Sequence, residues 1–309
     1  MDGLIGLDWG TSTLRAYRLD ARGCIEDARE RPWGIRHLPV GGYAAALAAI
    51  TDGWPSLPRL ACGMIGSRGG WHEMPYLELP AEASNLACSL GCLRTADGGE
   101  LHLVPGLHDA SGPDVMRGEE TQLVGVLALQ PATIGTAHWI LPGTHSKWAT
   151  SRDGVVTGFR TYMTGELYAV LRRHSILAVD GEGNEVPQAF DRGVMAARDS
   201  GAAGALSRLF STRALMLDGK LAPDAVSAYL SGLLIGEEFR SALAERLASR
   251  DVPLRLIGDS ALCERYRRAA ACFDIDLPPA WKDVAAHGLW RLAELAGLVH
   301  GTSREACAC

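Results

Sequence analysis

An apolar run, Gly3-Leu4-Ile5-Gly6-Leu7, delivers a single carboxylate, Asp8, to a turn made of Trp9, Gly10, Thr11, Ser12 and Thr13. A buried strand that ends in an acid and then turns on glycine brings that acid against small hydroxyls and bare backbone N–H groups. Hard cations and polyphosphates favour this division of labour: the carboxylate orients hydrated Mg²⁺ and the turn donors hold phosphate oxygens. Residues 14–19 alternate apolar and polar, which predicts the returning strand of a hairpin and keeps Arg15 near the turn as a further phosphate contact. Neither the P-loop pattern nor the dinucleotide fingerprint occurs around it.

One such hairpin also fits a plain structural turn. A second changes the reading, because Trp139-Ile140-Leu141-Pro142-Gly143-Thr144-His145-Ser146-Lys147-Trp148 repeats the order of strand, Gly-Thr turn and strand, with Gly143 placed 133 residues after Gly10. Gly143, Thr144, His145, Ser146 and Lys147 then form a second set of phosphate contacts, and two sets imply two halves. In this the sequence resembles the actin-like sugar kinase superfamily. That resemblance implies an α/β protein of two ribonuclease-H-like domains, with mixed sheets flanked by helices and a cleft between them, gripping ATP by the two hairpins.

Composition sets the outer bounds. At 309 residues, 47% hydrophobic and 21% charged, the chain can bury two cores and is an ordinary globular enzyme. A net charge of −6 with no basic run argues against nucleic acid or an anionic membrane as partner. No apolar run is as long as a membrane span and no basic-then-apolar leader opens the chain, so a cytoplasmic location is expected. The eight cysteines lack paired metal spacings: Cys88 and Cys92 read as helix neighbours, Cys307 and Cys309 sit in a small polar tail, and all are expected to be buried or incidental thiols. His102 and His108 suggest a metal hydrolase only weakly, since no closed ligand set accompanies them.

The remaining pattern places the elements. Residues 24–36 read as a third strand and edge loop, 43–50 as a helix and 60–65 as a strand. Gly66-Ser67-Arg68-Gly69-Gly70-Trp71 is too glycine-rich for regular structure, and suits a loop whose guanidinium forks onto the carboxylate of a small acid. A strand at 101–104 leads through Asp109 and Gly118-Glu119-Glu120 to a helix at 123–129, so a first domain is expected over residues 1–115 and a second over 116–309. Beyond the second hairpin come a strand at 155–163, helices at 166–173, 197–210 and 223–249, a strand, glycine turn and helix at 254–266, and a final helix at 284–298.

These motifs together are similar to the 2-dehydro-3-deoxygalactonokinase family. The similarity is carried by Leu7-Asp8-Trp9-Gly10-Thr11-Ser12, Gly63-Met64-Ile65-Gly66-Ser67-Arg68-Gly69-Gly70-Trp71, Val104-Pro105-Gly106, Met116-Arg117-Gly118-Glu119-Glu120-Thr121-Gln122, the second hairpin, and Leu230-Ser231-Gly232-Leu233-Leu234-Ile235-Gly236. It implies ATP and Mg²⁺ as cofactors, and transfer of the γ-phosphoryl to the 6-hydroxyl of 2-dehydro-3-deoxy-D-galactonate. The first domain would bind the sugar acid through Ser67, Arg68, Gly69 and Trp71, and the second would bind the nucleotide at Gly232, Gly236, Gly258 and Asp259. Metal duty falls on Asp8, because the second hairpin has Leu141-Pro142-Gly143 where many relatives carry another Asp. Glu119, Glu120 and Asp109 compete as the base, with Glu119 favoured by its place just after Gly118. The partners are then small molecules, with a homodimer allowed. A phosphohydrolase like an exopolyphosphatase, or a kinase for the gluconate-derived epimer, is the alternative.

Overall fold

The computed structural model describes residues 3–130, 135–177, 186–248 and 251–300. They pack as two compact units, each built on its own sheet. The first takes the described residues up to Gly135, Ser151–Gly158 and the chain from Asp283 onward, and the second takes Thr136–Thr150 and Phe159–Lys282.

In the first unit β1 (Gly3–Trp9), β2 (Leu14–Asp20) and β3 (Ile25–Arg31) form an antiparallel meander. Helix α1 (Gly42–Ile50) leads to β4 (Arg59–Gly63), which lies parallel to β1. After β5 (Tyr76–Glu78) and α2 (Ala83–Cys88), β6 (Gly91–Arg94) and β7 (Glu100–Leu103) complete a six-stranded sheet of order β3-β2-β1-β4-β7-β6. Strands β8 (Gly106–Asp109) and β9 (Asp114–Met116) join β5 in a smaller sheet, and α3 (Glu119–Leu129) follows. Central strand β1 is buried along nearly its whole length, which explains why its sequence reads as a continuous apolar run rather than as an alternation.

Strands β10 (Thr136–Leu141), β11 (Ser146–Arg152), β12 (Val155–Tyr162) and β13 (Leu254–Leu256) form a sheet of order β12-β11-β10-β13, which repeats the β3-β2-β1-β4 order of the first; it lies in the second unit apart from the β11–β12 turn and the residues beside it, Ser151–Gly158. Helices α4 (Thr164–His174), α5 (Pro187–Arg198), α6 (Ser211–Leu217), α7 (Val226–Ala244) and α8 (Ser260–Ala271) accompany it. Helix α9 (Val284–Leu295) packs in the first unit on α3 and β1. There Gly125 and Gly288 let the two helix backbones touch, for a Cβ on Gly125 would lie 1.9 Å from the Val284 carbonyl oxygen.

Several sequence expectations change. Helices α3 and α9 belong to the first unit, because their glycine-lined contact fastens them to each other and to that sheet, so a single cut at residue 115 does not describe the packing. No helix spans 197–210: Gly201 and Gly204 adopt positive φ and leave only short 3₁₀ turns between α5 and α6. Cys88 ends α2 and Cys92 lies in β6, so the two are not helix neighbours. Cys24 is disulfide-bonded rather than an incidental thiol, whereas Cys62, Cys88, Cys92, Cys263 and Cys272 are free. The expectations for Cys307 and Cys309 lie outside the described residues. Among the described residues no helix is long and apolar enough to cross a membrane.

Candidate active site

Strand register assembles a charged row on the first sheet. Asp8 on β1 pairs with Arg15 on β2 and with Cys62 on β4, and Arg15 pairs in turn with Glu30 on β3, so four polar side chains lie in line across four strands. Cys62 Sγ donates to Asp8 Oδ1 at 3.9 Å, and Arg15 Nε donates to Glu30 Oε2 at 2.7 Å. Arg15 is therefore held in an ion pair with Glu30, which competes with the phosphate role expected of it. Burial pushes the Asp8 carboxyl above its usual range; Arg15 opposes this and the negative charge of Glu119 adds to it. The charge of Glu119, far from Asp8 in sequence, therefore reaches it in the fold.

The turn after β1 is held from outside. Gly10 N–H donates to the Thr13 carbonyl, while the carbonyls of Gly10, Thr11 and Ser12 accept from Ile35, Arg36 and Gly34. Ser12 is exposed and Thr11 half-buried at the tip. Trp9, whose indole donates to the Trp33 carbonyl at 2.8 Å, is edge-on to both Tyr43 and Trp71.

Those aromatics fix the glycine-rich loop. Trp71 stacks on Tyr43 with centroids 5.5 Å apart, Tyr43 Oη donates to the Gly69 carbonyl, and Trp71 N–H donates to the Ile65 carbonyl at 2.9 Å. Ser67 closes a short 3₁₀ turn, Met64–Gly66, and Arg68 is exposed. The loop is folded onto the residue next to Asp8, and its one guanidinium faces solvent. Trp71 is bound up in that aromatic stack, so it shapes the loop as well as presenting a face.

At the start of α3 the two neighbouring acids differ. Glu119, half-buried, accepts from the backbone N–H of Arg117 at 3.0 Å through Oε2. Glu120 is fully buried; its Oε2 accepts from Gly118 N–H at 2.6 Å and its Oε1 from Thr121 Oγ1 at 3.0 Å. Burial, with Glu119 beside it, pushes the Glu120 carboxyl up to about 8. Glu120 is thereby sequestered under the helix start, and Glu119 is the acid left half-exposed. Asp109, at the end of β8, uses Oδ1 to accept from Ser111 N–H, Ser111 Oγ and Gly112 N–H, the pattern of an Asx turn.

Arg117 is a residue the sequence reading passed over. Its side chain is buried, with Nη2 donating to the Met74 carbonyl at 2.8 Å and the guanidinium 4.2 Å from the Tyr76 ring centroid. It ties the segment after the Arg68 loop to the start of α3. Its place inside Met116-Arg117-Gly118-Glu119 was the available signal.

In the second unit Gly143 is half-buried and Thr144 and His145 are exposed at the turn. His145 Nε2 bonds Glu166 Oε2 at 2.5 Å, and Glu166 N–H donates to the Thr144 carbonyl, so the turn rests on the start of α4. Ser146 departs from expectation: it is fully buried and donates its Oγ to Glu238 Oε1 at 2.7 Å, which removes it from the phosphate contacts. Lys147 is buried to 4% exposure, and strand alternation points it off the other face of β11.

Two of the cavities in this unit share part of their lining. One of about 240 Å³ is lined by Gly143, Thr144, Thr164, Gly165 and Arg265, and a larger one of about 510 Å³ by Phe190, Ser227, Ala228, Ala261 and Leu277. Tyr168, Ser231 and Arg265 line both. Gly232 and Gly236 line neither; they serve the packing of α7 on α5, where a Cβ on Gly232 would lie 2.0 Å from the Phe190 carbonyl oxygen. Asp259 caps α8, its Oδ1 accepting from the N–H groups of Ala261 and Leu262, and Gly258 before it has φ of 142°.

The paired sheets and Gly-Thr hairpins define an actin-like ATPase and sugar kinase fold. The activator of 2-hydroxyisocaproyl-CoA dehydratase from Clostridium difficile shares that fold at 14% identity, with a TM-score of 0.51 over 98% of this chain and 100% of its own. Within that class the chain belongs to the 2-keto-3-deoxy-galactonokinase family, whose model matches residues 8–292. It is 36% identical to 2-dehydro-3-deoxygalactonokinase from Escherichia coli (strain K12), covering 91% of this chain and 94% of that one. A relative from Rhizobium meliloti (strain 1021) with the same activity in its name is 38% identical, covering 85% and 87%. The crystal structure of a Sinorhizobium meliloti protein described under that activity superposes with a TM-score of 0.83 at 35% identity, covering 94% and 98%. Family membership sets the phosphohydrolase alternative aside.

Proposed function

We propose that this protein transfers the γ-phosphoryl group of ATP to the 6-hydroxyl of 2-dehydro-3-deoxy-D-galactonate, with Mg²⁺. Family membership supports the reaction, and the observation that carries the metal role is the strand register that sets Asp8 near the end of β1, beside the first Gly-Thr turn. Burial chiefly, with the charge of Glu119 adding to it, makes an ionised Asp8 costly, and a divalent cation would relieve that cost, so the carboxylate fits Mg²⁺ by its own chemistry. Asp8 would hold the ion, which supplies charge neutralisation at the phosphates.

Glu119 accepts the proton of the attacking hydroxyl, being the half-exposed acid of the pair at the start of α3. Arg68 forks onto the carboxylate of the sugar acid, from a loop pinned by Trp71 and Tyr43. The turn at Gly143 and Thr144 holds ATP phosphates, and the connected cavities of the second unit take the nucleoside, in place of Gly232, Gly236 and Asp259. Phosphoryl transfer asks chiefly for positioning and charge stabilisation, and these residues supply both.

The test is direct. Protein, ATP, Mg²⁺ and the candidate acid are mixed, ADP and inorganic phosphate are followed, and the product is located by phosphorus NMR. Stoichiometric ADP with a 6-phosphate ester supports the reading. ADP with equal free phosphate, or a higher kcat/KM for the gluconate-derived epimer, overturns the reaction or the substrate respectively.

A further inference from the structure

Glu238 lies within α7, in the core of the second unit, at 1% exposure. Its two oxygens accept four hydrogen bonds from three other elements. Oε1 takes Ser146 Oγ and Trp148 Nε1, both at 2.7 Å from β11; Oε2 takes Tyr266 Oη at 2.7 Å from α8, and Thr164 Oγ1 from the start of α4. Two partners therefore meet each oxygen. Burial pushes its carboxyl up and the four donors hold it down.

All four donors are neutral. A buried carboxyl group held by neutral partners alone is an expensive way to stabilise a core, since apolar residues of similar volume commonly do as well or better. The position of the donors explains what it secures. Thr164 and Tyr266 line the 240 Å³ cavity together with Gly143 and Thr144, and Ser146 follows that turn by two residues. Gly165 presses against the turn so closely that a Cβ would lie 2.5 Å from the Gly143 carbonyl oxygen. One carboxylate therefore ties both strands of the wall, the hairpin and the start of α4, to α7 and α8.

We propose that Glu238 is a positioning residue for the nucleotide: it sets the second Gly-Thr turn and the adjoining cavity wall in the geometry that accepts ATP phosphates. This rests on the reading that the second unit binds ATP. Glu238→Gln can keep its oxygen on Ser146 and Trp148 and donate its N–H₂ to the Thr164 and Tyr266 hydroxyls, whereas Glu238→Ala takes the acceptor from all four donors and loosens the wall.

The experiment measures MgATP binding calorimetrically, and steady-state KM for ATP and for the sugar acid, in the full chain. Glu238→Ala is expected to raise the ATP Kd and KM by about tenfold or more while the sugar-acid KM stays within about twofold. Tyr266→Phe and Thr164→Val, which keep the carboxylate and remove one donor each, should move the ATP values the same way by less. If Glu238→Ala does not fold, the Ser146→Ala, Tyr266→Phe double variant carries the test with the carboxylate in place. A folded variant with wild-type ATP affinity, or with equal rises in both KM values, overturns the proposal. Wild-type protein that binds MgATP but phosphorylates no sugar acid would instead overturn the reaction, and leave the effect of Glu238 on ATP affinity measurable.

Discussion

The Glu120 carboxylate accepts the backbone N–H of Gly118 at 2.6 Å, and this short loop back onto its own helix start withdraws it from solvent while Glu119 stays half-exposed. A buried acid raised from 4.5 to about 8 keeps its proton in the folded protein over a range where the unfolded chain has lost it. The folded state then binds more protons than the unfolded one, so the contribution of Glu120 to stability falls as pH rises from 4.5 to about 8, at up to ~1.4 kcal/mol per pH unit, and is constant outside that window. Glu120→Gln cannot ionise, and its amide can accept from Gly118 and donate to Thr121. Denaturant melts should show the variant gaining on wild type between pH 5 and 8; parallel curves would mean that Glu120 is ionised in the fold.

Glu119→Gln should lower kcat by about 10² to 10⁴, the usual contribution of a positioned base, and leave the ATP Kd nearly unchanged. Glu120→Gln should lower it much less. If Asp109→Asn shows the large loss and Glu119→Gln does not, the base is Asp109, and its Asx turn must open to free it.

Asp8→Asn removes a carboxylate that burial already penalises, so the folded protein should melt no earlier than wild type. Turnover should fall by about 10³ or more, the scale of several kcal/mol lost at a metal-stabilised transition state. Near-normal kcat at limiting Mg²⁺ would remove Asp8 from the metal.

Arg68→Lys exchanges a planar fork for a point charge and should raise the sugar-acid KM at least about tenfold with the ATP KM unchanged. Trp71→Ala should raise it too, through loss of the Tyr43 stack that shapes the loop. An unaltered sugar-acid KM in Arg68→Lys would shift attention to Arg117, whose Nε and Nη1 are buried without a hydrogen-bond partner among the described residues.

What could be read in the sequence was local. The hairpins after Leu7 and Leu141, the turn before α8 and the irregular loop at 66–71 announce themselves by glycine placed after an apolar run, and all four are in the structure. What escaped depends on contacts distant along the chain. Ser146 looked like a phosphate donor because nothing nearby reveals that its hydroxyl meets Glu238, 92 residues later. Arg15 looked free because Glu30 reaches it only through strand register. The return of α9 to the first unit likewise rests on Gly288 meeting Gly125, a pairing of two unremarkable glycines that no spacing rule signals.

Neighbouring positions on α7 separate packing from binding. Ser231 lines both cavities, whereas Gly232, turned toward α5, has no room for a methyl group beside the Phe190 carbonyl. Gly232→Ala should therefore force α5 and α7 apart, an overpacking cost of about 1 to 3 kcal/mol, and lower the melting temperature by several degrees. The ATP Kd of the fraction that remains folded should be close to wild type. Ser231→Leu fills cavity space rather than a helix contact, so it should leave the melting temperature within a degree or two and weaken MgATP binding by about tenfold or more. Calorimetry and thermal melts on the two variants read this crossing pattern directly. Unchanged ATP affinity in Ser231→Leu would place the nucleoside elsewhere than these cavities, and loss of affinity in a fully stable Gly232→Ala would restore the glycine to the binding site.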